Sequence, residues 1–262
     1  MAAKGCIVMN ESSDPQFITV EGVKIAVCCR HGCNRPGLFW LGGYRSEMAG
    51  TKAVAVDALA GRLGLPALRH DYSGHGLSQG NFFQGTISLW LRQSLAVFDR
   101  FATGPQILIG SSMGGWMALR MAGELKKRHI RLAGIVLIAP APDFTRTLVE
   151  SGLTEEQKHA LETKGFFEIR SESGTMPYTK MLIDDGRNNL VMEGLIEPGC
   201  PVHILQGMQD EVVPYQHTLK LMEHLPLGDV TLTLFRDGDH RLSRSQDILL
   251  LERTVETLIA AG

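Results

Sequence analysis

Gln106-Ile-Leu-Ile-Gly-Ser-Ser-Met-Gly-Gly-Trp-Met-Ala-Leu-Arg-Met121 is the stretch that decides the fold. An apolar run is followed by a glycine-flanked serine and then by an amphipathic segment, which spells a strand, a sharp turn and a helix with Ser112 at the apex. Gly110 and Gly114 stand two positions either side of Ser112, where side chains would collide in so tight a turn. A serine hydroxyl is a weak nucleophile unless it is exposed, paired with a base and set at the positive end of a helix dipole. This segment supplies the first and last of those conditions.

The pattern Gly-x-Ser-x-Gly is short, and the chain carries it twice. Gly76-Leu-Ser-Gln-Gly80 follows the glycine-rich Ser73-Gly-His-Gly76 instead of a strand, and no apolar helix opens after it. Ser78 therefore reads as a loop residue and Ser112 as the nucleophile.

Outward from Ser112 the chain alternates. Phe17-Ile-Thr-Val20 and Val23-Lys-Ile-Ala-Val-Cys28, joined by Glu21-Gly22, read as a β-hairpin. Apolar strand patterns over 37–41, 66–69, 106–109, 133–139, 202–206 and 230–235 then alternate with helical patterns over 51–63, 87–101, 115–129, 215–224 and 245–261. The expected fold class is α/β: one domain over 1–262, with a mainly parallel sheet and helices on both faces. Residues 145–199 break the rhythm with helical patterns over 155–163 and 177–184 and no convincing strand. They read as a small helical insertion placed to serve as a lid.

Composition excludes several functions. The 262 residues are 44% hydrophobic and 21% charged, the balance of a globular protein able to bury a substantial core. Twenty-six basic against 28 acidic residues leave a net charge of −2, which gives no field for nucleic acid or an anionic membrane. The basic run Lys126-Lys-Arg-His-Ile-Arg131 falls where the helix after Ser112 should end, and there cations complement the dipole. No apolar run approaches the roughly 20 residues of a membrane span. Residues 1–14 hold one lysine and no long apolar region, so no signal peptide is expected and the setting reads as cytoplasmic. Cys6, Cys28, Cys29, Cys33 and Cys200 lack disulfide-framework spacing, which fits a reducing compartment. Cys28, Cys29 and Cys33 near His31 lack the paired spacings of zinc sites and read as a buried strand end.

Ser112 needs a base and a carboxylate to orient that base. In open α/β sheets chemistry gathers at the carboxyl ends of the strands. His240 lies in Asp237-Gly-Asp-His-Arg241, directly after the strand Thr231-Leu-Thr-Leu-Phe235, and is the expected base. His70 and His75 belong to a glycine-rich turn, His203 to a strand, and His129, His159, His217 and His224 to helical patterns. Asp210 in Gln206-Gly-Met-Gln-Asp-Glu-Val-Val-Pro214 is the expected acid, with Asp143 as the runner-up. Acyl transfer also requires two backbone N–H groups aimed at the developing oxyanion. Met113 supplies one, and Tyr44, in Leu41-Gly-Gly-Tyr44, the other.

These residues resemble the α/β-hydrolase superfamily over nearly the whole chain. Leu41-Gly-Gly-Tyr-Arg-Ser-Glu-Met-Ala-Gly-Thr-Lys-Ala53, Arg69-His-Asp-Tyr-Ser-Gly-His-Gly-Leu-Ser78, Gly110-Ser-Ser-Met-Gly-Gly-Trp116 and the Asp210 block are similar to one subfamily. Leu161-Glu-Thr-Lys-Gly-Phe166 and Asp239-His-Arg-Leu-Ser243 extend the similarity. That subfamily contains acyl-protein thioesterases that also cleave acyl glucuronides. The resemblance implies an ester or thioester hydrolase with Ser112 as nucleophile, Asp210 as orienting acid and His240 as general base. It implies a small-molecule or acylated-protein substrate and no metal or organic cofactor. The N-terminus points to a bacterial-type relative. Two other readings stay open: cleavage of a C–C or other bond by the same three residues, and a binding protein that keeps the fold without catalysis.

Overall fold

The computed structural model describes residues 14–171 and 174–261. Cys6 and most of the stretch read for a signal peptide lie outside them. Strand β1 (Gln16–Val20) and strand β2 (Val23–Arg30) form an antiparallel hairpin whose turn residues, Glu21 and Gly22, take φ of 48° and 81°. The chain continues through β3 (Gly37–Leu41), α1 (Thr51–Leu63), β4 (Ala67–His70), α2 (Ile87–Phe101), β5 (Gln106–Ser111), α3 (Met113–Lys127) and β6 (Gly134–Ile138). An insertion follows, with α4 (Glu155–Thr163), β7 (Phe166–Ser171), β8 (Gly174–Thr179) and α5 (Lys180–Arg187). The last elements are β9 (Val202–Gly207), α6 (Tyr215–Glu223), β10 (Val230–Phe235) and α7 (Ser245–Ala261).

Eight strands form one sheet in the order β1-β2-β4-β3-β5-β6-β9-β10. It is parallel from β4 to β10, with β2 antiparallel to β4. Its central strands are largely apolar because both faces are covered. On β5, Ile107 and Ile109 join Val56 and Leu59 of α1 and Leu251 and Val255 of α7 in one core cluster. Leu108, pointing the other way, belongs to the cluster with Trp90 of α2 and Met117 of α3. The parallel strands deliver their carboxyl ends to one edge. Among the described residues no helix is long and apolar enough to cross a membrane.

Residues 145–199 correct the helical reading. β7 and β8 pair as an antiparallel hairpin, and the helix expected over 177–184 begins only at Lys180. Gly165 and Gly174, at φ 79° and 110°, punctuate the hairpin. Pro177 looks like a helix start in sequence, yet it sits inside β8, tolerated because each strand of a two-stranded sheet is an edge. The cysteine reading is also corrected in part. Cys28 and Cys29 are buried on β2, but Cys33 is exposed beyond the strand and disulfide-bonded.

Candidate active site

Ser112 forms the turn between β5 and α3 at φ 55° and ψ −120°, a backbone region that costs a non-glycine residue about 1–3 kcal/mol. Three backbone bonds hold it there. Ser112 N–H donates to Ile138 O at 2.9 Å, while Gly115 and Ala141 N–H donate to Ser112 O at 2.8 and 3.1 Å. The flanking glycines are obligatory: a Cβ on Gly110 would lie 2.2 Å from Gly114 O, and one on Gly114 would lie 2.0 Å from Leu41 O.

The loop after β10 brings His240 to this turn, and the loop after β9 brings Asp210. His240 Nε2 lies 3.2 Å from Ser112 Oγ, and His240 Nδ1 lies 2.8 Å from Asp210 Oδ2. With Nδ1–H donating to the carboxylate, the Nε2 lone pair faces the hydroxyl. The Asp210 side chain is fully buried and needs donors to offset lost hydration. Its Oδ1 accepts from Val212 and Val213 N–H at 2.9 and 2.7 Å, and its Oδ2 from Gln206 Nε2 at 3.1 Å.

Gln206 and Lys52 carry weight in this site that the sequence reading did not assign. The Gln206 amide is fixed from behind by the Thr218 hydroxyl of α6, which donates to Oε1 at 2.7 Å. Its signal was an amide directly after the apolar Ile204-Leu205 of β9, where the strand is buried. Lys52 Nζ donates to Arg241 O and so ties the start of α1 to the His240 loop. Burial draws the Lys52 ammonium down to about 8.

Asp143 does not join the site. Its carboxylate accepts from Val191 and Met192 N–H and anchors the far end of the insertion. Desolvation there raises its pKa. His217 Nε2 bonds Pro142 O, His224 Nδ1 bonds Gly194 O, and His129 and His159 are exposed. His70 is buried with Nε2 at 3.0 Å from Ser94 Oγ. The Ser78 hydroxyl is engaged with Asp71 O and Ala26 N–H.

Among the described residues the backbone N–H groups of Met113, which follows Ser112, and of Tyr44, in the turn packed against it, make no hydrogen bond to another backbone group. Met113 opens α3, so its N–H lies at the positive end of that helix. The Tyr44 turn approaches because Gly43 carries no Cβ, which would otherwise lie 3.3 Å from Ser112 Cβ and 3.2 Å from Ser111 O. The turn also carries the insertion: Tyr44 OH donates to Pro177 O, and Arg45 Nη1 donates to Thr175 O, both on β8. The Tyr44 and Tyr178 rings stack with centroids 5.6 Å apart. Beside the turn opens a cleft of about 520 Å³ lined by Arg45, Ser46, His75, Phe82, Glu168 and Thr175. No group of three or more His, Cys, Asp or Glu among the described residues is arranged to hold a metal ion.

Known proteins resemble this chain to differing depths. The hydrolase family described as serine aminopeptidase, S33, matches residues 38–165. The mouse mitochondrial palmitoyl-protein thioesterase ABHD10 is 37% identical over 227 residues, covering 86% of this chain and 75% of that protein. The solved structure of mouse ABHD10 superposes with a TM-score of 0.86 at 33% identity, covering 95% of this chain and 99% of that one. A crystal structure of a putative hydrolase from Agrobacterium vitis S4 is 52% identical with a TM-score of 0.92, covering 94% of this chain and 98% of that one.

Proposed function

Because the chain belongs to the α/β-hydrolase family, in the group of the palmitoyl-protein thioesterase ABHD10, we propose that it cleaves carboxylic esters or thioesters through an acyl-enzyme on Ser112. The observation that carries this reading is the continuous relay from Asp210 Oδ2 through His240 to Ser112 Oγ, with links of 2.8 and 3.2 Å.

In this mechanism His240 Nε2 takes the Ser112 proton as Oγ attacks the acyl carbon. The carbonyl oxygen becomes an oxyanion, received by the Met113 and Tyr44 N–H groups. Collapse of the tetrahedral intermediate expels the thiol or alcohol, protonated by His240, and leaves an ester on Ser112. Water, activated by the same imidazole, then releases the acid. Asp210 keeps the ring oriented and stabilises the imidazolium. The substrate is a small-molecule or acylated-protein ester or thioester, and residues 145–199 act as a lid latched to the Tyr44 turn.

The test is a panel of thioesters, aryl esters, acyl glucuronides and cleavable diketones offered to the protein and to Ser112→Ala. Hydrolysis of esters or thioesters that disappears in the variant supports the reading. Cleavage of the diketones alone, or turnover that survives in the variant, contradicts it.

A further inference from the structure

The glycine-rich run after β4 sends three buried side chains to one target, the backbone of residues 42–48. Tyr72 OH donates to Gly42 O at 3.2 Å, Arg45 N–H donates to His75 Nε2 at 3.1 Å, and Met48 N–H donates to Asp71 Oδ1 at 2.6 Å. The first two contacts straddle Tyr44, which follows the Gly43 that packs against Ser112. The turn is poorly fixed by itself. Arg45 sits at φ 56°, and within the turn itself Ser46 N–H donates to Gly43 O at 3.1 Å.

The gripping loop, by contrast, is over-determined. Asp71 Oδ2 accepts from Leu77 N–H at 2.8 Å, and Ser78 Oγ bridges Asp71 O at 2.6 Å and Ala26 N–H at 2.8 Å. Gly76, at φ 44°, leaves room for that carboxylate, since a Cβ there would lie 2.1 Å from Asp71 Oδ2. The His75 ring is wedged among Tyr72, Phe82 and Trp90, with centroids 5.0–5.5 Å away. Its Nδ1–H donates to Ser73 O at 3.2 Å, so Nε2 is left as the acceptor. Burial and the neighbouring Arg45 charge lower the imidazole to about 4 and keep it in that neutral form.

We propose that His75, supported by Tyr72 and Asp71, is a positioning residue for the oxyanion: it aims the Tyr44 N–H by holding the next amide in the chain. This rests on the ester or thioester reading above. A residue that only fills the core would be replaceable by another aromatic ring. One that aims a donor would not, because the lost acceptor releases the turn at the point where transition-state charge is received.

The experiment compares His75→Phe, His75→Gln and Tyr72→Phe with the unaltered protein. It measures kcat, KM, thermal midpoint and affinity for a trifluoromethyl ketone, which forms a tetrahedral adduct on the serine. His75→Phe should lower kcat about 10- to 100-fold, part of the roughly 10²–10³-fold loss for a deleted oxyanion donor. KM should stay within about threefold, and ketone affinity should fall in step with kcat. His75→Gln, with an amide oxygen to accept from Arg45 N–H, should recover most of the loss. Tyr72→Phe should cost about two- to fivefold in both kcat and ketone affinity.

The proposal is overturned by a His75→Phe protein with kcat within about twofold of normal, by unchanged ketone affinity, or by a Gln variant no better than Phe. If His75→Phe does not fold, Tyr72→Phe decides, and unchanged ketone affinity there overturns the proposal. Turnover surviving Ser112→Ala is a separate outcome that sinks the hydrolase reading and this inference with it.

Discussion

The chain holds two Gly-x-Ser-x-Gly pentapeptides, at 110–114 and 76–80, and the fold uses them in opposite ways. At 110–114 a strand delivers the serine and a helix leaves it, so Ser112 stands at φ 55° with His240 as its hydroxyl's partner among the described residues. At 76–80 a loop delivers it, and the Ser78 hydroxyl is occupied on both sides, by Ala26 N–H and Asp71 O. The glycines are equally obligatory but for different contacts. Gly110 makes room for the Gly114 carbonyl, and Gly76 for the Asp71 carboxylate. A serine becomes reactive when the fold gives its hydroxyl a base and no structural duty; the five-letter pattern is silent on both.

The sharpest way to break this contrast is to remove each hydroxyl. Ser112→Ala should lower kcat by about 10⁴–10⁶-fold while leaving the thermal midpoint in place. Ser78→Ala should keep kcat/KM within about threefold yet cost about 1–3 kcal/mol in denaturant unfolding, because Ala26 N–H is left buried without its partner. A reversal of these two outcomes would dissolve the distinction.

A second comparison separates the carboxylates. Asp210→Asn should reduce kcat about 10³–10⁴-fold by disturbing the His240 tautomer and the charge opposite it. Asp143→Asn should change kcat less than about tenfold and act on stability through the Val191 and Met192 amides. Steady-state kinetics on the two variants checks this.

The smallest effect is a pH dependence of stability. Burial lowers His75 to about 4 and His70 to about 3, against 6.5 in the unfolded chain. As pH falls from about 6.5 the unfolded state takes up protons that the folded state refuses until much lower pH. Stability from these two rings is therefore fully present above that range and is lost on acidification toward pH 4. Thermal midpoints measured from pH 8 to 4 should fall across this window, less steeply in His75→Phe.

The alternation of strand and helix was legible because parallel strands buried on both faces leave continuous apolar runs, as in Gln106-Ile-Leu-Ile109. Ser112, Asp210 and His240 were legible because each lies in a turn or loop just beyond the carboxyl end of a strand, β5, β9 and β10 in that order. The β7–β8 hairpin was not, because Pro177 and the residues after it mimic a helix start, while a two-stranded sheet tolerates proline in either strand. The grip on the Tyr44 turn was hidden for another reason. Tyr72, His75 and Asp71 meet backbone atoms at Gly42, Arg45 and Met48, and no residue type in sequence announces a backbone partner.

The most direct test of the central claim is to react the intact protein with a fluorophosphonate and map the adduct by peptide mass spectrometry. The relay of Asp210, His240 and Ser112 predicts a single phosphonyl group on Ser112, absent in Ser112→Ala, slowed in His240→Ala, with Ser78 unmodified. Modification at Ser78 or elsewhere in place of Ser112, or labelling that persists in Ser112→Ala, would contradict it.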